Sequence, residues 1–208
     1  MNANLQKFLA ALGAVALCAG MAGCGSEFVR DSRSPVRLVV NSLEADEQNT
    51  LLSDVITLVR QPAPCSAASP CPSVFNDMAV VSLSLQLRDL GIPGSPSAPS
   101  GLNQVTITRY RVKYRRADNH NDPGVDVPYD FDSALTVTVP PTGGVEAAFQ
   151  IVRHSAKEEA PLAALRYTDD IISTIAEVTF YGRDQVGNEV SASASIGIDF
   201  GDFADSNN

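Results

Sequence analysis

The stretch EVSASASIGIDF, residues 189–200, alternates without a break. Val190, Ala192, Ala194, Ile196, Ile198 and Phe200 stand on one parity; Glu189, Ser191, Ser193, Ser195, Gly197 and Asp199 stand on the other. A helix turns about 100° per residue and would scatter both sets around its circumference. A strand sends successive side chains to opposite faces, so this pattern reads as a strand with one apolar and one polar face. Residues 174–182 make a strand on the other side of RDQVGNE, where Gly187-Asn188 supplies turn punctuation. A hairpin is therefore predicted near the end of the chain.

The same period recurs upstream. Val36, Leu38 and Val40 begin one strand, and the nearly all-apolar run Val55–Val59 makes a second. Ala79, Val81, Leu83, Leu85 and Leu87 alternate with Val80, Ser82, Ser84, Gln86 and Arg88 in a third. Residues 103–116 form a long fourth, Leu135–Val139 a fifth ended by Pro140-Pro141, and Val145–Ile151 a sixth. Within the fourth, Val105 and Ile107 have odd parity, while Tyr110, Val112 and Tyr114 have even. Burying both sets on one face requires a bulge or bend near Thr108; otherwise the first half is covered on its odd face only. One helix signal competes: Ser155 and Glu158 have capping-box spacing. Pro161 keeps that helix short, and Ala160–Leu165 is expected to form a further turn. Many short strands and little helix predict an all-β antiparallel sandwich of about 7–9 strands over residues 36–201.

FYGRDQVGNEVSASASI, residues 180–196, resembles the closing hairpin of bacterial immunoglobulin-like domains: an aromatic strand, Asp-x-x-Gly-Asn, then an alternating strand. The resemblance implies an immunoglobulin-like β-sandwich and says almost nothing of activity. The chain has no Trp, so the core Trp of that fold is missing. Cys65 and Cys71 are too close in sequence to be its inter-sheet bridge, which leaves the looser fibronectin type III sense of the architecture.

The N-terminus carries an address. Lys7 precedes an apolar run from Phe8 to Ala22, about 15 residues, where spanning a bilayer takes roughly 20. A charged start, a short apolar core and small residues at its end describe a signal peptide over residues 1–23. Met21-Ala22-Gly23-Cys24 resembles the lipobox of bacterial lipoproteins, with Met where Leu is commonest. That resemblance implies cleavage before Cys24 and lipid on its sulfur and new amine; two acyl chains give the stable anchoring that one does not. A disulfide is the alternative for Cys24. Cys18 follows Leu17 and fits the pattern poorly. Gly25 in place of Asp implies onward export to the outer membrane if the source has two membranes. Residues 24–35 read as a polar tether, and 202–208 as a frayed acidic tail.

The chain has 15 Lys+Arg and 24 Asp+Glu; losing residues 1–23 removes one cation, Lys7, and takes the formal charge from −9 to −10. Such a field disfavours nucleic acid as a partner. Cys65 and Cys71, in CSAASPC, are the remaining thiols, and an exported chain meets an oxidising space where thiols pair. A disulfide is expected; a zinc site is the sharper alternative, but its neighbours are Ser, Ala and Pro, with no His nearby.

Four stretches are candidates for function. In TRYRVKYRR, residues 108–116, Arg109, Arg111, Lys113 and Arg115 share one strand face about 6.6 Å apart. This is inside a Debye length of about 8 Å, so the cations repel unless something answers them. They form either a strip for phosphate, lipopolysaccharide or an acidic partner, or a solvated face answered by carboxylates on neighbouring strands. Residues 117–133 are rich in oxygen ligands, among them Asp118, Asp122 and Asp126, but their order departs from the EF-hand pattern and suits turn chemistry equally. His120 within it is expected to be exposed. Pro93, Pro96 and Pro99 recur at the polyproline II period and read as a connector. The acidic end, with Asp199, Asp202 and Asp205 around Phe200 and Phe203, is the fourth.

Catalytic readings find little. A Ser-His-Asp triad needs one of two histidines, His120 or His154, and no nucleophile elbow, zinc-protease helix or P-loop occurs. A glycosidase carboxylate pair is compatible with 24 acids, yet nothing singles one out. No catalytic residue and no cofactor are assigned. The expectation is an exported, lipid-anchored, non-catalytic interaction or structural module of the cell envelope, with the membrane and an envelope protein or polysaccharide as partners. The alternatives are a carbohydrate- or calcium-binding surface module, then a hydrolase.

Overall fold

The hairpin at the end of the chain is built around one carboxylate. A computed structural model of the chain describes residues 33–45 and 50–205. The signal peptide, Cys24, most of the tether and residues 206–208 lie outside the described residues. Asp184 Oδ1 accepts from the backbone N–H groups of Val186 (3.1 Å) and Asn188 (2.9 Å), and its Oδ2 accepts from the Asn188 amide (3.0 Å). Gly187 turns the chain at φ +92°, a conformation that glycine adopts without a Cβ penalty. The Asp-x-x-Gly-Asn motif is thus a self-satisfied turn, which fixes the register of the strands on either side.

Those strands are the last of twelve among the described residues: β1 Val36–Glu44, β2 Thr50–Asp54, β3 Thr57–Val59, β4 Cys71–Ser73, β5 Asp77–Leu87, β6 Gly91–Ile92, β7 Ser95–Pro96, β8 Val105–Arg115, β9 Phe131–Val139, β10 Gly144–Val152, β11 Ile172–Asp184 and β12 Glu189–Gly201. A helical turn, α1, spans His154–Lys157, and a 3-10 turn follows at Leu162–Leu165. The protein is therefore all-β, with several sheets. β1-β5-β10 form a three-stranded sheet and β2-β12-β11-β8-β9 a five-stranded one; the pairing is antiparallel as expected except that β2 runs parallel to β12, which corrects the wholly antiparallel expectation. β3-β4 and β6-β7 are separate small ribbons.

The inward parity of each long strand is the apolar one. On β12, Val190, Ile196, Ile198 and Phe200 are buried, while Glu189, Ser191, Ser193 and Ser195 are exposed. Both larger sheets contribute to one core, and two tyrosines cross it. Tyr110 and Tyr114 of β8 donate their hydroxyls to the Gln150 (2.8 Å) and Ile151 (2.7 Å) carbonyls of β10, in the other sheet. The Tyr110 ring packs edge-on to Phe131 and Phe149 and tilted against Phe180, at 4.9–6.3 Å between centroids. Burial pushes the Tyr114 phenol pKa far up, so the hydroxyl keeps its proton and its bond.

Several expectations need correction. The apolar run 55–59 is not one strand. Asp54 accepts from the Ile56 N–H (3.4 Å) and the Thr57 hydroxyl (2.8 Å), a local turn that ends β2 and re-aims the chain into β3. β9 starts at Phe131, four residues before Leu135, and so takes Asp132 out of the loop and onto a strand. The Ser155 capping box does not form: the helix begins at His154 with Arg153 as its cap residue, so Ser155 already lies inside the turn. The acidic end is not frayed through Asp205. Asp202 accepts from the Tyr167 N–H (2.6 Å), Asp205 from the Leu58 N–H (2.9 Å), and the Phe203 N–H donates to Asp54 (3.3 Å).

The bulge expected near Thr108 is present. Arg109 faces Tyr181 and Ile107 faces Gly182, so Thr108 is an extra residue opposite that peptide, and the pairing with β9 shifts at the same place. Val105 and Ile107 are buried before it, and Tyr110, Val112 and Tyr114 after it. Gly182 permits the close approach: a Cβ there would lie 2.6 Å from the Thr106 carbonyl oxygen.

Candidate functional site

The outer face of β9-β8-β11-β12 carries the row of cations. Because β8 changes parity at Thr108, Arg109, Arg111, Lys113 and Arg115 all point outward. Neighbouring strands answer them. Arg109 Nη1 lies 2.9 Å from Asp132, which sits on β9. Arg111 reaches Asp130 at 3.3 Å and Asp132 at 3.8 Å. Arg115 reaches Glu177 of β11 at 3.4 Å, and Lys113 stands directly opposite Glu177 in the register. Three of the four cations, Arg109, Arg111 and Arg115, thus lie against carboxylates of the same face. The pairs are about half exposed, and such pairs contribute little stability, about 0–1 kcal/mol each.

At the bulge the face dips. A recess of about 420 Å³ is lined by Thr108 and Arg109 of β8, Tyr181–Arg183 of β11 and Glu189–Ser191 of β12. The Arg109 guanidinium lies 3.8 Å above the Tyr181 ring centroid, a cation–π contact that holds it flat. Arg183 bonds Glu189 at 2.8 Å. A little further along, Thr179 and Ser193 hydroxyls are 2.8 Å apart and continue the polar surface.

In the Asp-rich loop, Asp118 and Asp126 are engaged by neighbouring groups of the same loop. Asp118 turns back to the Arg116 guanidinium and accepts the His120 N–H, and the hydrogen bond from Arg116 holds its pKa down at about 2. Asp126 accepts the Asp122 N–H at 3.1 Å. Among the described residues, no three His, Cys, Asp or Glu groups gather where a metal ion would sit. His120 is exposed beside Asp118, and His154 bonds Asn76. The Cys65 and Cys71 sulfurs lie 2.06 Å apart, a disulfide that staples the loop between β3 and β4.

One constellation had no signal in the sequence. Lys157, 1% exposed, donates to Asp77 (2.9 Å) and to the Asp54 carbonyl (2.8 Å). Asp77 also accepts the Ser53 hydroxyl at 2.6 Å. Burial pushes the Asp77 pKa up, and the Lys157 charge and the Ser53 and Lys157 bonds pull it back. The group joins β2, β5 and α1 across wide sequence separations, so no local motif announces it.

No protein-family model matches the chain, and no curated protein matches it. A solved structure titled "X-ray structure of Northeast Structural Genomics Consortium target SoR45" aligns with a TM-score of 0.34 and 12% identity, over 79% of this chain and 86% of that one. A likeness that slight carries nothing about fold or function.

Proposed function

We propose that the chain is a lipid-anchored protein of the cell envelope, built on an immunoglobulin-like β-sandwich and acting as a non-catalytic interaction module. Strand order supports the architecture. With β1, β2, β5, β8, β9, β10, β11 and β12 lettered A, A′, B, C, C′, E, F and G, the sheets read A-B-E and A′-G-F-C-C′. That order resembles the arrangement of immunoglobulin domains. Lipidation at Cys24 and export, with residence in the outer membrane, rest on the lipobox resemblance.

The observation that carries the interaction reading is the ordered row of exposed ion pairs on a rigid sheet. Exposed pairs add little to folding and exchange partners cheaply, yet a fixed pattern of charge gives specificity and speeds encounter with a complementary surface. Chemical cross-linking in intact cells, read by mass spectrometry, tests this. The expected result is one recurrent envelope partner joined through Lys113; links scattered over the surface at background frequency overturn the reading. Detergent partitioning tests the anchor: Cys24→Ala is expected to move the protein to the aqueous phase, and unchanged partitioning refutes lipidation.

A further inference from the structure

We infer that the recess at the Thr108 bulge is a binding site for a carboxylated sugar unit, such as a uronate of an acidic polysaccharide. The inference rests on the proposal that this sheet face is the contact surface, and it names the ligand chemistry. Two arginines, Arg109 and Arg183, line it. A guanidinium has five N–H donors, and its fork geometry matches a carboxylate. Arg109 gives one N–H to Asp132 and Arg183 gives one to Glu189, so most donors of both remain for a ligand. The Tyr181 ring beneath Arg109 fixes its plane in advance, which lowers the ordering cost of binding.

The rest of the lining suits a polyol. The Thr108 and Ser191 hydroxyls donate and accept, and the Glu189 carboxylate accepts. The volume falls in the range of small-ligand sites, about 300–1,000 Å³. Acidic peptides offer carboxylates without the ring hydroxyls that this mixed lining would meet, so a sugar acid is favoured over a polypeptide.

The test uses the full chain in detergent micelles. Calorimetric and NMR titrations would compare trigalacturonate, maltotriose, inorganic phosphate and an oligoglutamate peptide. Trigalacturonate is expected to bind saturably and to shift the Arg109, Tyr181 and Arg183 signals, with affinity falling as salt rises. Arg109→Gln and Arg183→Gln, in variants that keep the native spectrum, should each weaken binding by about tenfold or more, as loss of a charge-assisted bond implies. Asp132→Asn removes the competitor for Arg109 and should tighten it, a change that a merely structural arginine would not give. Arg37→Gln, on the other sheet, should leave it unaltered. Equal binding of maltotriose, or trigalacturonate binding that survives both Gln variants, overturns the inference. Response to phosphate or to the peptide without response to the uronate overturns it too. An envelope partner cross-linked to the face with no uronate response sinks the sugar site and leaves the interaction module standing; failure of both removes the face as a contact surface.

Discussion

A primary ammonium at 1% exposure is costly to bury, and Lys157 is held there by the Asp77 carboxylate and the Asp54 carbonyl. Breaking such a pair leaves a lone charge in the interior. Asp77→Ala is expected to destabilise the protein by about 3–5 kcal/mol in urea titrations. Adding Lys157→Met should restore part of that loss, because the stranded charge goes with it; strictly additive losses would rule out coupling. The pH dependence has a defined sign. Burial raises the folded-state pKa of Asp77 above its ordinary 3.8, so its contribution to stability is full below 3.8 and is lost as pH rises through the raised value. Lys157→Met removes the charge that limits this rise. The variant should therefore approach the wild type in stability as pH falls from neutral toward the carboxylate range, and a gap that stays constant with pH contradicts the account. Gly182 is the other position where a single atom matters. A Cβ 2.6 Å from the Thr106 carbonyl forces the bulged strand away, so Gly182→Ala should cost about 1–3 kcal/mol by the same titration.

At the level of elements, β8 does two jobs on its two faces. Its inner tyrosines tie the sheets together, and its outer cations form the candidate site. Tyr114→Phe keeps the ring and removes the hydroxyl's bond to the buried Ile151 carbonyl; a loss of about 1–3 kcal/mol is expected, and an unchanged denaturation midpoint would contradict the bond's role. Parity made both jobs legible in the sequence, along with the bulge between them, because a period-2 pattern that slips by one residue leaves few other solutions. Parity was silent where side chains redirect the backbone. Asp54 splits an apolar run that looked continuous, and Asp202 and Asp205 hold an acidic end whose composition suggested fraying. These outcomes depend on which N–H groups tertiary folding presents, which composition does not encode.

At the scale of the whole molecule, periodicity gives the face a strand buries and not the strand it pairs with. The recess needs Arg109 beside Tyr181, which only the assembled β8-β11 pairing supplies, while Arg183 and Glu189 face each other across the hairpin itself. The Lys157–Asp77–Ser53 group is hidden for the same reason. The disulfide acts at this scale as well, but weakly. It closes a short loop, so its chain-entropy contribution is about 2 kcal/mol. Reduction is expected to lower the thermal midpoint by a few degrees while the far-ultraviolet strand spectrum persists; collapse of that spectrum on reduction would show the staple to be essential.

β2 lies parallel to β12, with Thr50 opposite Gly197 and Asp54 opposite Gly201. A pull on the two ends of the chain drags these strands in opposite directions along their length. Their hydrogen bonds then bear the load together as a shear, where an antiparallel pair pulled from one end would unzip a bond at a time. β1 pairs with β5 in the other sheet and precedes β2 along the chain, so tension from that side reaches β1 before β2. The fold thus sets a shear-bearing pair between the second and the last strand of the described residues.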